Sequence, residues 1–267
     1  LSYNVKSGGQ GDYGIKEKPP QRIELISKVI KDINADIACL VDTYSWDLIY
    51  SVDELKEIFE YEKVLTVSLD DERLQALGHD NGITVLSNLR QAEFEKIRLF
   101  NRNAIKTVVK ENNNAVNIFA IYLDDLKENT RLREASALKE YLQEDMPIIV
   151  AGDFNTFSRR DTANVELYID KLSKNKPEFY KSYRGKIDEM KKFAVIDWFE
   201  NLGFADASED FVPTAPTRMV EGVDVSGLVR IDYFLYKNIK LENYSVLNDF
   251  VFDNISDHYP IIAEFTI

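Results

Sequence analysis

The sequence predicts an α/β protein built on mixed β-sheet. Three observations predict it. Six apolar runs have strand length, amphipathic helices separate some of them, and residues 82 to 121 hold strands with short turns and no helix. Leu1-Ser2-Tyr3-Asn4-Val5 reads as a first strand, followed by Gly8-Gly9-Gln10-Gly11 as a mobile loop. Pro19-Pro20 opens a helix on which Ile23, Ile26, Ile30 and Ile33 recur at helical spacing. Ile37 to Val41, Ile83 to Leu86, Val116 to Ile121, Ile148 to Ala151, Ile231 to Tyr236 and Ile261 to Phe265 read as strands buried on both faces. Leu132, Ala135, Leu138 and Leu142 mark a second helix, and a third runs from about Lys186 to Asn201, stopping at Gly203. Helices in some crossings and hairpins in others point to a mixed sheet rather than a purely parallel one.

Composition excludes several classes. With 267 residues, 45% of them hydrophobic, the chain can bury a sizeable core. No apolar run reaches about 18 residues, so no membrane span is expected. The single cysteine, Cys39, rules out an internal disulfide framework and is expected to pack as a small apolar side chain within its strand. It fits a reducing compartment or an indifferent one. The lean is cytoplasmic, with a signal removed from the N-terminus as the alternative. The formal net charge of −13 excludes a protein that coats nucleic acid by electrostatics alone. It leaves room for phosphate chemistry in which a metal ion supplies the positive charge.

Polar groups gather at strand ends. The run Ile148-Ile149-Val150-Ala151-Gly152-Asp153-Phe154-Asn155 ends a buried strand in a glycine and then presents Asp153 and Asn155. Residues two apart in extended chain share a side, so both can face one site and suit a hard cation, a phosphate or a water. The alternative is a turn in which they cap backbone amides. Asn4, Asp42 and Ser256-Asp257-His258-Tyr259-Pro260 repeat the pattern at other strand ends, where α/β sheets bind ligands. Asp232 lies within an apolar run and needs a partner: Arg230 or a backbone amide in a structural network, or His258 in a functional one. His79 sits in a polar turn and reads as a loop residue. With two histidines and one cysteine, a zinc site built from several histidines or cysteines is not available, and oxygen ligands favour Mg²⁺ or Mn²⁺. There is no Gly-x-Ser-x-Gly elbow and no phosphate-binding Gly-x-x-x-x-Gly-Lys-Ser/Thr loop.

This ordered set resembles the endonuclease/exonuclease/phosphatase superfamily of metal-dependent phosphoesterases, of which DNase I is one type. Asn4 matches the first-strand asparagine, and Ala35 to Asp42 the second motif, with Val41-Asp42 where the family has Gln-Glu. Gly152-Asp153-Phe154-Asn155, Arg230-Ile231-Asp232-Tyr233 and Ser256 to Pro260 look like the remaining signatures. Tyr122 stands where many members carry histidine and the abasic-site endonuclease branch carries tyrosine. The resemblance implies a four-layer α/β sandwich with two central mixed sheets, and one catalytic domain over residues 1–267 with a basic insertion at about 159–192. It implies Mg²⁺-dependent hydrolysis of a phosphodiester by in-line attack of water. Asn4, Asp42 and Asp257 would hold the metal, with Mn²⁺ as a substitute. Asp153, Asn155, Asp232, His258 and Tyr122 would form the catalytic set. Nucleic acid is one expected substrate, and the chain is expected to act as a monomer. A small phosphorylated metabolite or a lipid head group is the alternative substrate. A weak binding protein with a degenerate metal site is the alternative of another class, fed by Val41-Asp42.

Residues 171 to 192 run against the total charge. Lys171, Lys174, Lys176, Lys181, Arg184, Lys186, Lys191 and Lys192 face Glu178, Asp188 and Glu189, eight basic residues against three acidic. Arg159 and Arg160 lie just upstream, and Phe179, Tyr180 and Tyr183 are interleaved. The segment reads either as an arm over the site for a polyanionic substrate or as a solvated, irregular surface stretch.

Overall fold

A computed structural model describes residues 1–10, 22–78, 80–111, 114–142, 145–217 and 229–266. Its strands are β1 (Ser2–Asn4), β2 (Ile37–Val41), β3 (Lys63–Ser68), β4 (Gly82–Ser87), β5 (Glu93–Leu99), β6 (Arg102–Glu111), β7 (Asn114–Tyr122), β8 (Ile148–Asp153), β9 (Ala205–Asp206), β10 (Asp232–Lys237), β11 (Lys240–Val246) and β12 (Ile261–Thr266). Its helices are α1 (Ile23–Ile33), α2 (Trp46–Ile49), α3 (Val52–Phe59), α4 (Glu72–Ala76), α5 (Glu128–Ala137), α6 (Thr162–Asn175), α7 (Pro177–Met190) and α8 (Ala194–Asn201). The strands form two six-stranded sheets, ordered β11-β12-β1-β2-β4-β3 and β5-β6-β7-β8-β10-β9. Each is mixed: β1 pairs β2 and β7 pairs β8 in parallel, and the other ladders are antiparallel.

Two-residue alternation sorts the core into layers. On β2, Ala38 and Leu40 pack under α1 and α3, while Cys39 and Val41 enter the seam between the sheets. On β8, Ile148 and Val150 pack under α5 and α8, while Ile149 and Ala151 enter the same seam. Strands β2, β4, β7, β8 and β10, which read as apolar on both faces, are interior strands of a four-layer α/β sandwich, whereas β12, read the same way, lies beside the edge strand β11 with Glu264 exposed and Ile262, Ala263 and Phe265 only half-buried. Cys39 lies in the seam, buried, with its thiol pushed up to about 11 by that burial. No helix among the described residues is long and apolar enough to cross a membrane.

Four expectations about local structure need correction. Residues 186–201 are not one helix: α7 ends at Met190, and α8 begins after Phe193, whose φ of 59° interrupts the run. The basic stretch is not irregular, because α6 and α7 pack Leu172, Ile187 and Met190 into a satellite cluster with Phe157 and Ile231. The second helix stops at Ala137, and Leu138 to Tyr141 form a 3₁₀ turn that leaves Leu142 beyond it. Here α5 buries Glu128, Arg131 and Glu134 as well as Ala135, so ion pairs share its inner face with apolar contacts. The glycine run is a buried 3₁₀ turn over Ser7–Gly9 rather than a mobile loop. Gly8 N–H donates to Asp42 O, and Gly8 O accepts from the Trp46 indole. Gly11, Pro19-Pro20 and His79 lie outside the described residues.

Gly152 shows how the fold fixes the strand end. It has φ 145°, and a Cβ there would overlap the Ile121 carbonyl of the parallel neighbour β7. Backbone clash has no side-chain relief, so Gly152→Ala is expected to lose about 3 kcal/mol or more of stability. Denaturant melts check this, and an unchanged midpoint would refute it.

Candidate active site

Strand polarity and alternation converge on one end of the seam. β1, β2, β7 and β8 all end there, and β4, β10 and β12 begin there. Alternation along β7, β8 and β10 puts Tyr122, Asp153 and Asp232 on the same seam-facing side as Ala120, Ala151 and Phe234. On β1, Tyr3 and Val5 go to the helix side, which leaves Asn4 facing the seam. The site is thus the point where an apolar seam turns polar.

Asp153 and Asp232 are direct cross-strand partners on β8 and β10, both buried. Two carboxylates so placed repel each other. His258 lies between them, with Nδ1 at 2.8 Å from Asp232 Oδ2 and Nε2 at 3.9 Å from Asp153 Oδ2. Among the described residues, these three form a compact buried group able to hold a metal or a proton. Asn4 Nδ2 donates to Asp153 Oδ2 at 3.0 Å, and the Asn155 N–H donates to Asp153 Oδ1 at 2.8 Å. Phe154 points the other way and packs edge-on against Phe199 and Tyr233. That anchor turns Asp153 and Asn155 together toward the cleft. The Asn155 amide also donates to Leu123 O.

Burial and the Asp232 charge push Asp153 up to about 6, against the lowering pull of His258, the Asn155 N–H and Lys186. Burial pulls His258 down, but the charge and hydrogen bond of Asp232, with Asp153 and Asp257, raise it to about 10. Around neutral pH the arrangement is an imidazolium between carboxylates. Arg230, the alternative partner for Asp232, instead pairs with Asp161 and Asp206.

Asp42 follows β2 with φ 60° and is buried. It accepts from the Ser7 N–H at 2.8 Å and from the Asn81 amide. Burial and the Asp257 charge raise it to about 7 despite those donors. Asp257 pairs with Lys6 at 3.3 Å. Asn4, Asp42, Tyr122, Asp153, Asn155, Asp257 and His258 all line one cleft of about 430 Å³, while Asp232 sits behind His258. Arg102 lies over the Tyr122 ring, 5.4 Å from its centroid. Asp42 and Asp257 themselves offer only oxygen ligands, and a buried carboxylate whose proton affinity is raised by burial and by a second carboxylate fits a hard divalent cation.

Sequence reading missed Asn81, Ser7 and Lys6. Asn81 had a usable signal: it precedes β4, whose start pairs antiparallel with the end of β2 (Val41↔Ile83), so it must lie beside Asp42. Of the eight basic residues between 171 and 192, Lys186 alone lines the cleft. Lys174, Arg184 and Lys192 are spent in pairs along their own segments, and Arg159 and Arg160 pair with Asp197 and Asp206.

His258 holds its proton more tightly folded than unfolded, where 6.5 is ordinary. The stabilisation it gives is fully present below about pH 6.5 and fades as pH rises through about 10. His258→Ala leaves the buried Asp232 charge uncompensated and should cost about 3–5 kcal/mol at neutral pH. Denaturation of both proteins at pH 6 and above pH 10 checks this. A gap that fails to narrow at high pH contradicts the protonated assignment.

A family model described as the Endonuclease/Exonuclease/phosphatase family matches residues 1–258. No curated protein matches the chain at a significant level. Among solved structures, a functionally unknown conserved protein from Enterococcus faecalis V583 is 16% identical, with TM-score 0.67 over 99% of this chain and 98% of that one. A mannosyl-6-phosphatase from Bacteroides thetaiotaomicron VPI-5482 is 15% identical, with TM-score 0.61 over 100% and 98%. An AP endonuclease from Archaeoglobus fulgidus is 16% identical, with TM-score 0.64 over 92% and 95%. At these identities the likeness establishes the fold, and the family match covers nearly the whole chain. The chain belongs to the endonuclease/exonuclease/phosphatase family, whose members are generally hydrolytic phosphoesterases and typically depend on a divalent metal.

Proposed function

We propose that the chain is a Mg²⁺-dependent phosphoesterase that hydrolyses its substrate by in-line attack of water. The observation that carries this reading is the convergence of Asn4, Asp42, Asp153, Asn155, Asp257 and His258 from separate strand ends on one cleft. The reading takes residues 1–267 as one catalytic unit, with the α6–α7 hairpin as its substrate-facing insertion. Asn4, Asp42 and Asp257 would hold the ion, which supplies Lewis-acid charge to the phosphoryl oxygens when bound.

The protein's own groups divide the remaining work by their proton affinities. Asp153, ionised above about pH 6, takes a proton from the attacking water. Asn4 and the Asn155 N–H hold that carboxylate in place. His258, protonated and braced by Asp232, donates to a phosphoryl oxygen as negative charge builds. Tyr122 lines the same cleft and offers a phenol as a further donor.

A small phosphoester is favoured over duplex nucleic acid. The cleft has the volume of a small-ligand pocket, with a helical hairpin as one wall, and Lys186 is its sole lining residue from the basic stretch. Duplex binding needs a run of phosphate contacts, which the described residues of the basic stretch do not offer.

Asp153→Asn and His258→Gln should each lower turnover of a generic phosphoester by about two orders of magnitude or more. Near-full activity in either variant removes that residue from the mechanism. Asp42→Asn should weaken Mg²⁺ or Mn²⁺ binding by about tenfold or more in calorimetric titration. Unaltered affinity places the ion elsewhere, and no binding to the parent protein favours the degenerate-site reading.

A further inference from the structure

The cleft has two chemically distinct halves. Carboxylates, amides and His258 line one. The other is walled by the α6–α7 hairpin, which contributes Tyr168, Phe179, Tyr183, Ile187 and Met190. On α7, positions 179, 183, 186–187 and 190 follow helical spacing, so one face of the helix forms the wall. Phe179 and Tyr183 lie face to face, with centroids 4.2 Å apart and planes within 16°. Lys186 is one turn further along that face, and its charge acts on both Asp125 and Asp153. The wall thus presents an aromatic pair at 179 and 183 and, one turn on, an ammonium whose charge reaches Asp153.

We infer that this half is a subsite for the planar ring of a nucleotide-type phosphate ester, with Phe179 and Tyr183 as the stacking platform and Lys186 offsetting phosphate charge beside Asp153. The inference rests on the phosphoesterase reading above and names its substrate class. A flat, weakly polar ring matches the wall because aromatic faces stack on bases without needing hydrogen-bond partners. A bare sugar phosphate would bring several hydroxyls to a surface that offers mostly carbon, and hydroxyls buried without partners are costly. Tyr183 is 44% exposed, so it is a surface ring held at the cleft edge rather than a core residue. That makes it a specificity-determining residue that can be replaced without opening a cavity.

The test is calorimetric titration of the Mg²⁺-supplemented protein with adenosine 5′-monophosphate, ribose 5-phosphate and inorganic phosphate, with released phosphate monitored so that turnover is accounted for. The nucleotide should bind at least about tenfold more tightly than ribose 5-phosphate, the size of one base–aromatic stack. Tyr183→Ala should abolish that margin and leave the other two affinities within about twofold, while Tyr183→Phe keeps it. Equal affinities in the parent protein overturn the inference, as does a margin that survives both Tyr183→Ala and Phe179→Ala. If none of the three compounds binds or is hydrolysed, the phosphoesterase reading fails and takes this one with it. If ribose 5-phosphate and phosphate bind as well as the nucleotide, only the ring subsite fails.

Discussion

Two carboxylates face each other across adjacent strands in the buried end of a β-sandwich, and much of the local structure exists to make that tolerable. Asp153 and Asp232 are register partners, so neither can move away without breaking the β8–β10 ladder. Like charges opposite one another in a sheet are unfavourable, and burial magnifies the cost. The imidazolium of His258 is what reconciles them, and its own position is tightly prescribed. The Ser256 hydroxyl donates to Asn4 O and accepts from the His258 N–H, tying the segment before β12 to the end of β1. Thr214 Oγ1 accepts from the Ile231 and Asp232 N–H groups, and Thr214 O accepts from Tyr259 N–H, linking the same segment to the start of β10. The two sheets are joined at this end by polar bonds, whereas the body of the seam is joined by apolar contact.

Much of this was legible in the sequence because alternation and polarity are local properties. Continuous apolar runs imply strands covered on both sides, and polar residues at several of their ends imply a shared rim. The partner of Asp232 could be narrowed to Arg230, a backbone amide or His258 but not chosen, since Arg230 is taken up by Asp161 and Asp206 from distant segments. Asn81 escaped because its signal lies in the β2–β4 register rather than in its own neighbourhood. The break between α7 and α8 escaped for a different reason. Phe193 adopts a left-handed conformation that its residue type does not advertise, whereas a glycine would have marked it. The buried charges of α5 were invisible because apolar spacing alone defines an expected inner face. Glu128 serves Arg131, the Thr156 hydroxyl and the Val195 N–H at once, a set drawn from α5, α8 and the loop after β8.

The acidity of the chain takes a different meaning at the site than over the whole. At the rim, carboxylates are raised toward neutrality by burial and by one another, which leaves them responsive to any cation that enters. Over the surface, much of the charge is consumed in local ion pairs with modest energetic weight.

The hairpin α6–α7 has its own small apolar cluster, which meets the rest of the protein through Phe157, Ala215, Val229 and Ile231 rather than through the seam. Its apolar packing is therefore largely separate from that of the seam, while its α7 face and the strand ends share one cleft. A wall anchored this way can diverge in sequence, length and chemistry while the strand ends stay fixed. A fold of this kind could offer a different wall to a ligand by exchanging a two-helix unit and little else.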